Sequence, residues 1–191
     1  MGGRGSRLGG VAKGNLELVP GERLVMRLLH TLAAAVPGAA VVLVGAASAY
    51  GDLGLEALDD APAGVGPLGG LRALLLAAEE HGDSAVLALA CDLPHLGAGL
   101  VTRLVHEQPD ADFVAARTGA LWHTLVARYS VRALDAVDAA LAAGEHALQR
   151  VIGRLGPRAR ELSLNELERA QLHDWDSPAD VAKSQRAQRN R

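Results

Sequence analysis

The sequence predicts an α/β fold built on a mostly parallel sheet with helices on both faces. Three observations lead there. Strand-like and helix-like segments alternate along the chain. Two short runs, Ala40–Val44 and Ala85–Ala90, are continuously apolar, as strands covered on both faces are. Hydrophobic residues make up 49% of the 191, enough to bury a sizeable core in a chain of that size.

The elements follow in order. Gly2–Gly14 reads GGRGSRLGGVAKG and is too glycine-rich for a regular element, so it is loop. The short run Leu16–Val19 ends at the turn signal Pro20-Gly21. Over Arg23–Ala35, the apolar stripe Leu24, Leu28, Leu32, Ala35 predicts a helix. The strand Ala40–Val44 comes next, then a helix over Gly70–His81 and the strand Ala85–Ala90. Leu100, Val101, Leu104 and Val105 give another helical face. Asp112–Ala116 and Leu125–Tyr129 read as strands, and Val131–Ala143 and His146–Leu155 as helices. Ser177 and Pro178 would cap and open a last helix. We expect one domain over residues 1–182 and a polar, basic tail over 183–191.

Composition excludes several classes of function. Aromatic residues are only 3% of the chain, which argues against stacking platforms for single-stranded nucleic acid. A formal net charge of −3 makes any phosphate site local rather than a global field. The single Cys91 fits a reducing cytoplasm, and the stretch Ala33–Ala49 is broken by Pro37 and Gly38, so no membrane span is expected.

The residues themselves suggest where chemistry could sit. Glycines let backbone N–H groups crowd around phosphate oxygens. In the first loop Arg4, Arg7 and Lys13 add positive charge, and no acidic residue precedes Glu17. Only two of the 19 basic residues are lysines, and Lys13 is one of them. The same segment also reads as a plain basic terminus. Asp92 follows the second apolar run, where a carboxylate either holds Mg²⁺ or caps the helix near Leu100. Gly64–Gly70 (GVGPLGG) opens onto a helix, whose N-terminus accepts anions or base edges, or it is simply a connection. Asp59 and Asp60 precede it as a ligand pair or a solvated turn.

Taken together and in order, these pieces resemble the molybdenum cofactor guanylyltransferases. The resemblance rests on Gly2-Gly3-Arg4-Gly5-Ser6-Arg7-Leu8-Gly9-Gly10 with Lys13, on Gly66-Pro67-Leu68-Gly69-Gly70, on Cys91-Asp92-Leu93-Pro94, and on Asp174-Trp175-Asp176-Ser177-Pro178. It implies a Rossmann-like nucleotidyltransferase fold, GTP as donor, Mg²⁺ as cofactor and molybdopterin as acceptor, with transient contacts to molybdoenzymes or cofactor-handling proteins. By carry-over, Gly2, Gly3, Arg4, Gly5, Ser6, Arg7 and Lys13 bind the triphosphate, and Asp92 holds the metal. Gly66, Pro67, Leu68 and Asp60 bind the nucleotide, Asp60 recognising guanine with Asp59 as the competing alignment. Lys13 and Asp92 are the catalytic pair. Cytidylyl transfer to the same cofactor and non-catalytic nucleotide binding are the alternatives.

Two departures from the pattern stand out. Ala12 replaces an acidic residue before the loop lysine. The family places a buried strand just ahead of its glycine loop, where this sequence has Met1. On that alignment the first central strand is absent from this chain. We expect it to leave an empty apolar slot and unpaired neighbours, and to be supplied by an in-frame apolar segment upstream.

Overall fold

The computed structural model describes residues 12–45 and 47–175. Gly2–Arg7, Ser177, Pro178 and the tail over 183–191, to which the sequence assigns roles above, lie outside the described residues. Six α-helices and eight strands run in the order β1 (Glu17–Val19), β2 (Glu22–Arg23), α1 (Leu24–Ala35), β3 (Val42–Val44), β4 (Glu56–Leu58), α2 (Pro67–His81), β5 (Ala85–Leu89), α3 (Ala98–His106), β6 (Phe113–Thr118), β7 (Leu121–Ser130), α4 (Leu134–Ala142), α5 (Leu148–Leu155), β8 (Ala159–Glu161) and α6 (Glu166–Ala170) among the described residues.

The strands form a small β1–β2 hairpin, a parallel pair β3–β4, and a four-stranded sheet in the order β5-β7-β6-β8. In the larger sheet β7 pairs antiparallel with both β5 and β6, while β8 runs parallel to β6. Thus β5, β6 and β8 share one direction and β7 alone opposes it. The reversal costs only a two-residue hairpin at Gly119-Ala120, where Gly119 supplies a positive φ of 59°.

Alternation along β6 builds two cores. Phe113 and Ala115 point to one face, where α2, α4 and α5 cover them with Leu71, Leu75, Val137, Val151 and Ile152. Val114 and Ala116 point to the other, where α3 covers them with Leu100, Val101 and Leu104, and Leu28 and Leu32 of α1 pack alongside. With so few aromatic residues, the three that meet here do much of the packing. Phe113 stands edge-on to Trp122 with centroids 5.2 Å apart and lies 4.9 Å from Tyr129.

Two expectations need correction. Both apolar runs predict strands buried on both faces. In fact Val42–Val44 are only half-buried, and of β5 only Ala88 is buried. The reason is a cavity of about 520 Å³ between the β3–β4 pair and the larger sheet, roofed by α1 and α2. Among the described residues, β3 pairs only with β4 and β5 only with β7, so no strand joins the two sheets. The short strands β4 and β8 and the helix α6 were not anticipated, because three-residue strands and a five-residue helix carry too little periodicity.

A buried carboxylate ties down the far end of the sheet. Asp112, 1% exposed, accepts hydrogen bonds from Arg132 (2.8 Å) and Arg158 (2.7 Å). Its backbone N–H donates to Arg158 O and its carbonyl accepts from Ser130 N. Both arginines are more than half exposed, so they tolerate losing the carboxylate, whereas the carboxylate has no water to fall back on. We expect Arg132→Leu with Arg158→Leu to destabilise by about 3–5 kcal/mol. Asp112→Asn should cost clearly less. Urea titrations of the two variants check the asymmetry.

Candidate functional site

The site gathers where β3 and β5 end. Beyond β5 the chain runs through Ala90 and Cys91 to Asp92, and Pro94 prevents the strand from continuing. Beyond β3 it turns at Gly45 and enters an irregular 3₁₀ segment, Ala47–Leu53, that contains Tyr50. The two carboxyl ends meet, since Tyr50 Oη lies 3.6 Å from Cys91 Sγ.

The short 3₁₀ turn Lys13–Asn15 docks on this junction. Lys13 Nζ donates to Asp92 Oδ2 at 2.7 Å. The pair is mostly shielded, with side-chain exposures of 22% and 14%. The buried backbone N–H of Gly14 donates to Tyr50 Oη at 3.1 Å. A Cβ at Gly14 would stand 2.7 Å from that oxygen, so only glycine fits. Asn15 adds a bond from Nδ2 to Ala49 O at 2.9 Å and accepts from Arg23 at 3.2 Å. Arg23 also binds Asp52 at 2.6 Å, which raises the guanidinium and holds the Asp52 carboxyl low. Burial and the neighbouring Cys91 push the Tyr50 hydroxyl far above its ordinary value, so it stays neutral.

Asp92 is fixed from a second direction. Its carbonyl accepts from the N–H of Trp175, a residue buried against Leu18 and Leu24. The beginning of the segment that runs from Asp174 to Pro178 in the sequence therefore reaches Asp92, while Asp176, Ser177 and Pro178 lie outside the described residues. His123 lies on β7. Burial lowers its pKa, against a smaller opposing pull from Asp174. Its Nε2 is 2.8 Å from Thr118 Oγ1.

The Gly66-Pro67-Leu68 loop sits at the end of β4, which runs parallel to β3 and so opens on the same side of the sheet. Gly66 has φ 64° and ψ −148°, a conformation reserved for glycine, and Pro67 begins α2. A Cβ on Gly69 would collide with the Pro62 carbonyl and press on Asp60 Cβ. Asp60 is therefore packed against the first turn of α2, while Asp59 is exposed. Leu68 is wholly buried in the core, so its side chain faces away from any ligand and only its backbone can serve one.

Among the described residues, no group of three or more His, Cys, Asp and Glu side chains is arranged to hold a metal ion. Asp92 offers a hard oxygen donor. That donor set fits Mg²⁺, which binds through one or two carboxylates and completes its shell with waters and substrate phosphates. It does not fit a closed transition-metal site.

The structure brings Lys13 and Asp92 into contact across 79 positions of sequence. It adds Tyr50, which sequence reasoning missed. Its one signal was an aromatic residue standing in the small-residue stretch Gly45–Gly54, in a chain with few aromatics.

Comparison with known proteins accords with this geometry. The MobA-like NTP transferase domain family matches residues 1–160. A molybdenum cofactor guanylyltransferase of Pseudomonas fluorescens is 32% identical over 177 residues, covering 90% of this chain and 86% of its own. That of Rhodobacter capsulatus is 35% identical over 156 residues, covering 80% and 77%. Among solved structures, molybdopterin-guanine dinucleotide biosynthesis protein A from Archaeoglobus fulgidus superposes with a TM-score of 0.75 at 18% identity, over 100% of this chain and 96% of that one. A fold with strands ending at a glycine-held lysine and a carboxylate, together with a family match over most of the sequence, leads to one assignment: the chain belongs to the MobA-like NTP transferase family and is a nucleotidyltransferase.

Proposed function

We propose that the protein transfers a guanylyl group from GTP to molybdopterin, in the presence of Mg²⁺, and releases pyrophosphate. The observation that carries the reading is the Lys13–Asp92 contact at the carboxyl ends of β3 and β5, which is where ligands bind in open α/β sheets. The names of the guanylyltransferase relatives supply the substrates.

The chemistry asks for little covalent work from the protein. An oxygen of the acceptor phosphate, already ionised at neutral pH, attacks the α-phosphorus of GTP, and the bond to the pyrophosphate oxygen breaks. No general base is required. Backbone N–H groups of Gly2, Gly3, Arg4, Gly5, Ser6 and Arg7 would cradle the triphosphate, with the Arg4 and Arg7 side chains adding charge. Lys13, a compact ammonium, would move from Asp92 onto the bridging and terminal phosphates and meet the charge that develops on the leaving group. Asp92 would hold Mg²⁺, which when bound neutralises phosphate charge and orients the triphosphate. Tyr50 keeps Lys13 in reach by holding the neighbouring Gly14.

Guanine would be read at the start of α2. The Gly66-Pro67-Leu68 backbone, turned at Gly66 into a conformation reserved for glycine, would meet the base. Asp60, packed against Gly69, would accept from the N1–H and N2–H donors of guanine, which cytosine cannot match. Molybdoenzymes or cofactor-handling proteins would then collect the product by transient contact.

Pyrophosphate release, measured with each of the four nucleoside triphosphates with and without molybdopterin, tests the assignment. Release should require both GTP and molybdopterin. Release with CTP instead would make this a cytidylyltransferase, and none with any triphosphate would make it a binding protein.

Asp92→Asn should keep the fold and lower turnover by at least about 100-fold, equivalent to roughly 2.7 kcal/mol of transition-state stabilisation. Circular dichroism and steady-state rates at limiting Mg²⁺ check this, and near-normal turnover would remove Asp92 from the metal site.

Tyr50→Phe leaves the buried Gly14 N–H without its acceptor, a loss of about 1–3 kcal/mol. The Lys13 turn should loosen, so kcat should fall and KM for GTP rise together. A change confined to thermal stability would limit Tyr50 to a structural part.

A further inference from the structure

Both sides of the Lys13–Asp92 contact are moored to one stripe of α1. Arg23, just ahead of the helix, Arg27 and Thr31 follow one another at steps of four residues. That step brings them to one face, about 6 Å apart along the axis. Arg23 serves the lysine side. Its guanidinium donates to Asn15 Oδ1 at 3.2 Å and to Asp52 Oδ2 at 2.6 Å. Asn15 closes the turn that begins at Lys13, and Asp52 lies on the same 3₁₀ segment as Tyr50, which holds Gly14. Arg27 serves the aspartate side. Its Nε donates at 2.8 Å to the carbonyl of Pro94, which follows Asp92 and the buried Leu93. Thr31 then donates to the Leu96 carbonyl at 3.4 Å. Neither arginine is a loose charge, because Arg23 is paired with Asp52 and Arg27 lies 3.6 Å from Glu22. A guanidinium balanced in this way attracts a triphosphate only weakly. Its contacts are those of a support beneath the ligands, which fixes where they point.

We propose that Arg23 and Arg27 are positioning residues with divided duties: Arg23 sets where Lys13 meets phosphate, and Arg27 sets where Asp92 meets the metal ion. The inference rests on the reading of Lys13 as a phosphate ligand and Asp92 as the Mg²⁺ ligand. One rigid helix carries both supports, so the step between them fixes the spacing of the lysine and the aspartate. Each support acts on its own side, because Arg23 touches no part of the loop after β5 and Arg27 no part of the Lys13 turn in the bonds described above.

Calorimetric titration with GTP over a series of Mg²⁺ concentrations tests this in Arg23→Met and Arg27→Met, which keep much of the stem and remove the guanidinium. Arg27→Met should need about 10-fold more Mg²⁺ for the half-maximal gain in GTP affinity, with Mg²⁺-free affinity unchanged. Arg23→Met should do the reverse, losing about 10-fold in Mg²⁺-free GTP affinity and keeping the Mg²⁺ midpoint. Arg27→Lys retains a donor for the Pro94 carbonyl and the charge facing Glu22, so it should restore most of the midpoint. Should a methionine variant not fold, Arg23→Gln and Arg27→Gln, whose amides are too short for the same bonds, give the same comparison. Equal effects of the two variants on both quantities overturn the division of duties. A fall in melting temperature with both quantities intact overturns the positioning roles. An unaltered protein that binds no GTP, or binds it without regard to Mg²⁺, overturns the proposed function and this inference with it, whereas a normal Mg²⁺ response shared by every variant overturns the inference alone.

Discussion

The 2.7 Å contact between Lys13 and Asp92 is the constraint on which the site depends. It joins a turn near the start of the chain to the end of a strand in the middle, and each side is secured independently. Gly14, held by Tyr50, and Asn15, held by Ala49, fix the lysine side. Trp175, wedged against Leu18 and Leu24, fixes the aspartate side through the backbone. Two opposite charges kept mostly from water at one strand end make a poor stabilising device, because desolvation offsets much of their attraction. Under the proposed function they would receive a molecule that brings its own opposite charges: phosphates for the lysine and a divalent cation for the aspartate.

The sheet explains how that pair is held in place. Two helical layers clamp β5, β6 and β7, and Phe113, Trp122 and Tyr129 lock the centre. The parallel pair β3–β4 stands apart, across an apolar cavity, yet delivers Tyr50 and the Asp60 loop to the same side as Asp92. The candidate site residues thus come from both of these sheets among the described residues. Whatever fixes the spacing of the sheets also fixes how Tyr50 presents Lys13.

Much of this was legible in the sequence. The alternating elements, the helices on both faces and the position of Asp92 at a strand end all follow from periodicity and from Pro94. Lys13 was conspicuous because lysine is scarce here. Other features left no local trace. The half-burial of Val42–Val44 depends on what lies beside the strand, which a run of apolar letters does not record. Tyr50 works through a backbone amide 36 positions away, and nothing in its neighbours signals that. Leu68 sits within a ligand-like motif but turns its side chain into the core, because a helix starting at Pro67 must bury one face at once. β4 and β8 are too short and too polar at their ends for an alternation to show.

The central claim is that Lys13 and Asp92 hold each other in the free protein and part to take phosphate and metal. Calorimetric titration of Asp92→Asn with GTP, in the presence and absence of Mg²⁺, tests it most directly. The account predicts that without Mg²⁺ the variant binds GTP at least as tightly as the unaltered protein, since Lys13 is released and a negative charge is gone. It also predicts that adding Mg²⁺ no longer strengthens binding. A variant that loses GTP binding without Mg²⁺, or still gains affinity from Mg²⁺ as the unaltered protein does, would contradict the exchange of partners.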